Sequence, residues 1–376
     1  MNRLVMGAVE EAVSAGKTNG IVAGLLRDLA TVQASRQSAW GYKRAAAAVR
    51  NLDGPIEQYL EGDGTLRKIP LVGPSSTRVI LEVLNTGRSD TVAAAIAASG
   101  RAAEIEQSRA LRHHFLTRAQ VRAALDDDRL TGPSIATYHG DLQMHSIWSD
   151  GSQELEDIVV AGLARGYHYS AVTDHSYGLR IAGGMSMAEM TEQHEEIDGV
   201  NARYGNQFRL LKGIEANIKA DGTVDMEPEE LRRLELVVAA PHAVLRSPAD
   251  QTDRLLRTIA TPGVNILGHP RGRMYGSRPG VTARWPDVFA AAADAGVAIE
   301  IDGDPARQDI DYDLARLAVD AGCVFALDSD AHGTPDLTYA ETAIAHARLA
   351  AVPRERVVNC WPLEQLLEWA ERSWSR

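Results

Sequence analysis

Residues 138–151, YHGDLQMHSIWSDG, decide how the rest of the chain is read. A short strand-like run, 138–142, leads into four side chains able to hold a metal: Asp141, Gln143, His145 and Asp150. Similar groups recur downstream, each at the end of a short apolar run: Asp174 and His175, Glu215, His242, His269, then Asp328, Asp330 and His332. Stability alone does not account for such repetition, because a buried charge without a partner is costly. Oxygen and imidazole donors suit Zn, Mn or Fe, and ions of this kind activate water and hold a phosphoryl group.

Working outward, strand-like runs at 138–142, 169–172, 210–214, 236–239, 264–267, 297–301 and 324–327 alternate with helical periodicity at 155–164, 187–204, 228–234, 249–261, 285–295 and 312–321. Seven such repeats predict an α/β domain closed as a parallel barrel, with its chemistry on loops at the C-terminal ends of the strands. The polar groups follow that rule, Glu300 and Asp302 marking the end of the sixth run. A last helical segment, 362–374, carries Leu363, Leu366, Leu367, Trp369 and Trp374 and is expected to pack against the barrel.

The composition is that of an ordinary globular chain: 376 residues, 45% hydrophobic and 24% charged. There is no 18-residue apolar run, and the opening MNRLVMGAVEEAVSAGK has two glutamates where a signal peptide needs apolar residues, so a cytoplasmic location is expected. Two cysteines, Cys323 and Cys360, allow neither a disulfide framework nor a cysteine zinc site. The net charge of -12 is unevenly spread, with 17 Lys+Arg against 14 Asp+Glu in residues 1–130 and 22 against 37 in the remainder. That asymmetry predicts two domains, 1–130 and 137–376. It also argues against tight nonspecific nucleic-acid binding by the whole chain.

Residues 1–130 read as helical, with periodic segments at 5–15, 21–32 and 40–52, and Asn19 in position to cap the second. Further helices are expected at 75–84, at 92–98 and from 105 to about 125. Within the last of these, Thr117 and Gln120 form a capping-box pattern flanked by Leu116 and Val121. Asp126, Asp127 and Asp128 read as a solvated exit. The turn at Gly73 and Pro74 precedes Ser75 and Ser76, so its backbone N–H groups would be free to receive a DNA phosphate, with Lys43 and Arg44 adding positive charge.

Residues 19–87 resemble the small N-terminal domain of family X DNA polymerases, including its helix-hairpin-helix, through GYKRAA at 41–46, the L-x-x-I-P approach at 66–70 and the ending E-x-L-N-T-G at 82–87. Leu71 replaces the hairpin's first glycine. Val79 stands where lyase-active members carry a Schiff-base lysine, so no lyase activity is implied. The interval before residue 138 has no room for a polymerase catalytic domain.

GDLQMHSIWSDG, AVTDHS at 171–176, GIEANI at 213–218, ILGHPRGR at 266–273 and ALDSDAH at 326–332 resemble the PHP (polymerase and histidinol phosphatase) domain family, in the form found in bacterial family X polymerases. The resemblance implies a distorted (βα)7 barrel, two or three Zn, Mn or Fe ions and phosphoester hydrolysis. Carried over by position, the ligands are His145, Asp150, His175, Glu215, His242, His269, Asp330 and His332, with Asp141, Asp174 and Asp328 supporting them. The family's opening motif is H-x-H, and its first histidine falls on Gln143, a weaker and uncharged donor.

Catalytic roles are expected for His175, Glu215 and His332, with Arg271 and Arg273 as phosphate clamps. Glu300, Asp302, Arg307 and Asp309 line the loop after the sixth run, where relatives often carry an asparagine near Asp302. His139, His168, His194 and His346 read as surface or packing residues. The reading is a phosphoesterase acting at DNA ends, as a 3'-5' exonuclease or 3'-phosphatase. A small-molecule phosphomonoesterase such as a histidinol phosphatase and a non-catalytic DNA-binding protein are the alternatives.

Overall fold

The computed structural model describes residues 3–375, which divide into two compact units: residues up to Leu130 together with Tyr275–Ser277, and Thr131–Met274 together with residues from 278 onward. The first unit is helical, with α1 (Arg3–Ser14), α2 (Lys17–Val32), α3 (Arg36–Arg50), α4 (Pro74–Thr86), α5 (Asp90–Ser99), α6 (Ala102–Ala110) and α7 (Arg118–Asp126). The apolar faces of α2, α3 and α4 meet in one core around Leu26, Val49, Val79 and Ile80.

One helix boundary differs from the sequence reading. Asn19 lies inside α2 rather than before it. It is fully buried, and its amide receives a hydrogen bond from Ile56 N and gives one to Gly54 O, pinning the 54–56 turn to the helix. The helical portion from 105 is divided between α6 and α7, with His114 in left-handed backbone at φ 60°, and the second helix begins where the capping-box pattern put a helix start. Helix α7 then starts afresh at Thr117, with the reciprocal Thr117–Gln120 bonds in place. At the hairpin Leu71 has φ 65°, the conformation that favours the glycine it replaces.

The second unit is built on a curled, wholly parallel sheet in sequential order: β1 (Tyr169–Val172), β2 (Arg209–Asn217), β3 (Leu236–Ala240), β4 (Ile266–Leu267), β5 (Ala298–Asp302) and β6 (Phe325–Asp328). Helix α8 (Leu155–Ala164) precedes β1, α9 (Met187–Tyr204), α10 (Pro228–Leu231), α11 (Thr252–Ile259), α12 (Trp285–Ala295) and α13 (Tyr312–Ala321) connect the strands, and α14 (Ala340–Leu349) and α15 (Leu363–Arg372) follow. The central strands are apolar on both faces because helices cover one face and the interior the other.

Residues 138–142 do not form the expected seventh strand. The segment instead hydrogen-bonds to both edges of the sheet: Ala171 N and Thr173 N donate to Asp141 O and Met144 O, and His145 N donates to Ala331 O. Side chains replace the ladder where it is interrupted, as Leu142 N donates to Asp328 Oδ1 and Asn359 Nδ2 to Gly140 O. One segment bonding to β1 and to the residues after β6 requires the sheet to curl.

Strand alternation stacks the interior in layers. Leu211 and Glu215 of β2 share a face, as do Ala298 and Glu300 of β5 and Ala326 and Asp328 of β6. The apolar members, with Leu142, Leu236, Val238 and Ile266, form a floor that Trp361, Leu366 and Trp369 close from below. Above it stand carboxylates, and above those the histidines. Among the described residues, no helix is long and apolar enough to cross a membrane.

Candidate metal centre

Glu215, 1% exposed, is the hub of the site. Its Oε1 lies 3.1 Å from His242 Nε2 and 3.0 Å from His269 Nε2, and its Oε2 lies 3.3 Å from both His145 Nε2 and His175 Nδ1. Asp150 forms a second focus on the 146–151 turn. Its Oδ1 is 3.4 Å from His332 Nε2, 3.6 Å from His175 Nε2 and 3.7 Å from His145 Nδ1. Asp330 Oδ1 is 3.1 Å from His145 Nε2. The structure thus brings together seven of the eight residues that the sequence offered as ligands in three overlapping groups, His145, Asp150, His175 and His332; His175, Glu215 and His242; and His145, Glu215 and Asp330, while the eighth, His269, joins them through Glu215.

Backbone geometry turns these side chains inward. His269 and Asp330 each take a positive φ just past a strand end, 22° and 53°, where the chain leaves the sheet abruptly. The carboxylate layer holds their supports: Glu300 accepts a hydrogen bond from His269 N, and Asp141 accepts from Gln143 N and Ser329 N. Asp328 Oδ1 accepts from Leu142 N and Asn359 Nδ2. Asp174 supports the loop before α8. It holds the 146–149 turn through Ser146 N, Ser146 Oγ and Ser149 Oγ, and is itself held by Gln193.

The residues fit divalent cations. Many N and O atoms of the groups crowd within 3.0–3.7 Å, yet His145 Nδ1, His175 Nδ1, His242 Nε2, His269 Nδ1 and Glu215 Oε2 are buried without a hydrogen-bond partner. Orphaned donor atoms at such density are expensive unless a cation accepts their lone pairs. Gln143 belongs with them: it is fully buried and neither Oε1 nor Nε2 has a partner.

The electrostatics agree. Burial works to raise the Glu215 carboxyl, but the imidazoles of His175 and His242 outweigh it and hold it well below the usual carboxylate range. Burial likewise opposes ionisation of Asp150, and the bonds from His175 and His332 overcome it. Burial, with the Arg307 charge adding to it, lowers His269 to about 4, which keeps its imidazole neutral and able to donate a lone pair. The carboxylates beneath behave oppositely. Burial and mutual repulsion raise Asp141, Glu300 and Asp302, and burial raises Asp328 to about 6.

Arg271 and Arg273 are not arranged as the expected clamp. Arg273 is buried and its guanidinium is committed to Asp311 at 2.9 Å and to the carbonyls of Arg307 and Gln308, while Arg271 pairs with the same Asp311 at 3.2 Å. A buried guanidinium must satisfy its donors, and these acceptors do so. The cation that does reach the cluster is Arg307, with Nη2 3.2 Å from Asp330 Oδ2. A signal for it exists in the sequence DGDPARQDID, where Arg307 is the sole cation among four aspartates. Asn217, 3.3 Å from His242 Nδ1, and Asn359 carried no comparable signal.

No protein-family model matches the chain. It is 33% identical over 235 residues to the DNA polymerase/3'-5' exonuclease PolX of Bacillus subtilis, a match covering 62% of this chain and 41% of that protein. The chain therefore spans less than half the length of that relative. It is 31% identical over 247 residues to a "Probable phosphatase" of Edwardsiella ictaluri, covering 62% of this chain and 95% of the relative.

The chain belongs to the PHP family of metal-dependent phosphoesterases. A solved histidinol phosphate phosphatase from Lactococcus lactis superposes with a TM-score of 0.43 at 17% identity, over 55% of this chain and 92% of that one. Within the PHP domain the three overlapping groups make a multi-metal site, and the buried Gln143 lies two residues before His145.

Proposed function

We propose that this PHP phosphoesterase is a phosphomonoesterase of small phosphorylated molecules. The observation that carries the reading is coverage: the match takes in 95% of the Edwardsiella ictaluri phosphatase but only 41% of the Bacillus subtilis polymerase/exonuclease. In this reading residues 138–145 take the seventh place of a distorted (βα)7 barrel, and the three groups hold two or three Zn, Mn or Fe ions, with Glu215 shared between groups. Bound ions supply charge neutralisation and water activation.

The chain's own residues supply the rest. Arg307 presents a guanidinium, 21% exposed, to the developing charge on the phosphoryl oxygens. His332 and Asp150 form the open rim, about one third exposed, where His332 Nδ1 donates to the Asp330 carbonyl and so presents the Nε2 lone pair to the group it shares with Asp150. The apolar floor and the buried carboxylate layer keep bulk water from the inner side of Glu215.

A second reading, phosphoester hydrolysis at DNA ends, rests on the helical unit. There Arg44, Gly73, Ser75 and Ser76 line a surface hollow of about 300 Å³, with Pro74 opening α4, and Lys43 is exposed on α3 nearby in sequence. Backbone N–H groups at that helix start suit a strand phosphate. The two readings separate in one assay of the metal-loaded chain on small phosphomonoesters and on a 3'-labelled oligonucleotide. Turnover of the small esters with the oligonucleotide left intact is the expected result. Cleavage of the oligonucleotide alone would replace the first reading with the second.

A further inference from the structure

Helix α2 has glycine at two interior positions one turn apart, Gly20 and Gly24, and packing does not require either. A Cβ at Gly20 would meet Thr117 Cγ2 at 3.6 Å and one at Gly24 would meet Arg112 Nη1 at 3.9 Å, both ordinary contact distances. Each glycine meanwhile costs a helix about 1 kcal/mol relative to alanine. Both line one hollow of about 530 Å³ in the helical unit, a volume within the usual range of small-molecule sites.

The remaining lining is cationic and aromatic. Lys17, Arg50, Arg109 and Arg112 stand against one carboxylate, Asp28. Asp28 is buried and takes hydrogen bonds from Arg109 Nε at 2.8 Å and from Arg112, so the lining carries an excess of positive charge. The rings of Phe115 and Tyr275, the latter a member of this unit, meet edge to face at 5.1 Å. The Arg50 guanidinium lies 4.2 Å from the Tyr275 centroid and 5.5 Å from that of Phe115.

We propose that this hollow binds a nucleoside monophosphate. Phosphate and planar base together answer its two kinds of wall: the cationic side takes the dianion, and the Phe115 and Tyr275 rings with the stacked Arg50 plane take the base. The bare backbone at Gly20 and Gly24 lets the ligand lie directly on α2, as glycine does where a ligand must approach a main chain closely.

Photolabelling of the full-length chain carrying Glu215→Gln, which leaves the nucleotide unhydrolysed, with 8-azido-AMP, followed by peptide mapping, reads the position directly. Label is expected on peptides carrying Phe115 or Tyr275, with AMP competing at concentrations about tenfold below those needed for adenosine or inorganic phosphate. The double substitution Gly20→Ala/Gly24→Ala fills the floor and favours the helix, so it should cut this labelling by about tenfold without lowering the melting temperature. Arg50→Gln should cut it as well. The proposal is overturned if neither peptide is labelled, if the glycine and Arg50 substitutions leave labelling unchanged, or if inorganic phosphate competes as well as AMP.

Discussion

Arg307 Nη2 lies 3.2 Å from Asp330 Oδ2, and this contact introduces a fixed cation into a cluster otherwise made of carboxylates and imidazoles. Burial disfavours the charge, but Asp330, Asp302 and Asp304 more than compensate and keep Arg307 protonated at any working pH. Arg307→Gln should lower kcat/KM for a small phosphomonoester by about 10²-fold to 10³-fold, the usual cost of losing one transition-state donor. Steady-state kinetics with p-nitrophenyl phosphate checks this, and a change of under about threefold would remove Arg307 from the mechanism.

Gln143 is the uncharged member of the site, with both amide atoms buried and unpartnered. Gln143→His restores imidazole at that position and should tighten metal binding by at least about tenfold, consistent with the better donor. Elemental analysis after dialysis against graded chelator measures it. An unchanged metal content at every chelator concentration would place Gln143 outside the metal shell.

Glu215 offers one oxygen to His242 and His269 and the other to His145 and His175, so its charge serves more than one group. Glu215→Gln keeps the volume and removes the charge. It should reduce bound metal and bring hydrolysis to background, while chelation of the native chain should do the same reversibly. Metal returned at about 100 times its dissociation constant should raise stability by about 2.7 kcal/mol, visible in urea unfolding. Full activity in the chelated chain would contradict the metal requirement.

His194 gives a pH dependence independent of the metal ligands. It is buried in α9, and burial, reinforced by the charges of Lys212 and Arg233, lowers it to about 4 from an unfolded value of about 6.5. Between those values the unfolded chain binds a proton that the folded chain refuses. Its contribution is therefore complete above pH 6.5 and is lost as the pH falls towards 4, amounting to about 2–3 kcal/mol. His194→Gln should flatten this part of the urea-midpoint profile between pH 7 and 5. An identical acid slope in the variant would show that His194 does not set it.

Much of this architecture was legible because its signals are local. The runs at 169–172 and 236–239 and the periodic segments at 155–164, 187–204, 285–295 and 312–321 appear with boundaries unchanged or shifted by one residue. Ligand types at successive strand ends led to eight residues that converge in space, seven in the three groups and His269 against Glu215. What the sequence concealed depends on tertiary contact. Helix α14, AETAIAHARL, is buried all round and so lacks the polar face that marks a helix. Residues 138–142 have strand composition, but bonds from Asp328 and Asn359 displace the regular ladder. Arg271 and Arg273 follow a ligand histidine in sequence, yet Asp311 draws them away and leaves the charge at the cluster to Arg307.

Asn359 accepts from Leu327 N, donates to Gly140 O and Asp328 Oδ1, and its carbonyl accepts from His139 N. One late residue thus fastens the earliest strand-end segment to the last strand. All the candidate ligands precede Asn359 in the chain, so a chain ending before this residue would carry every one of them and lack the four bonds that join residues 139–140 to β6.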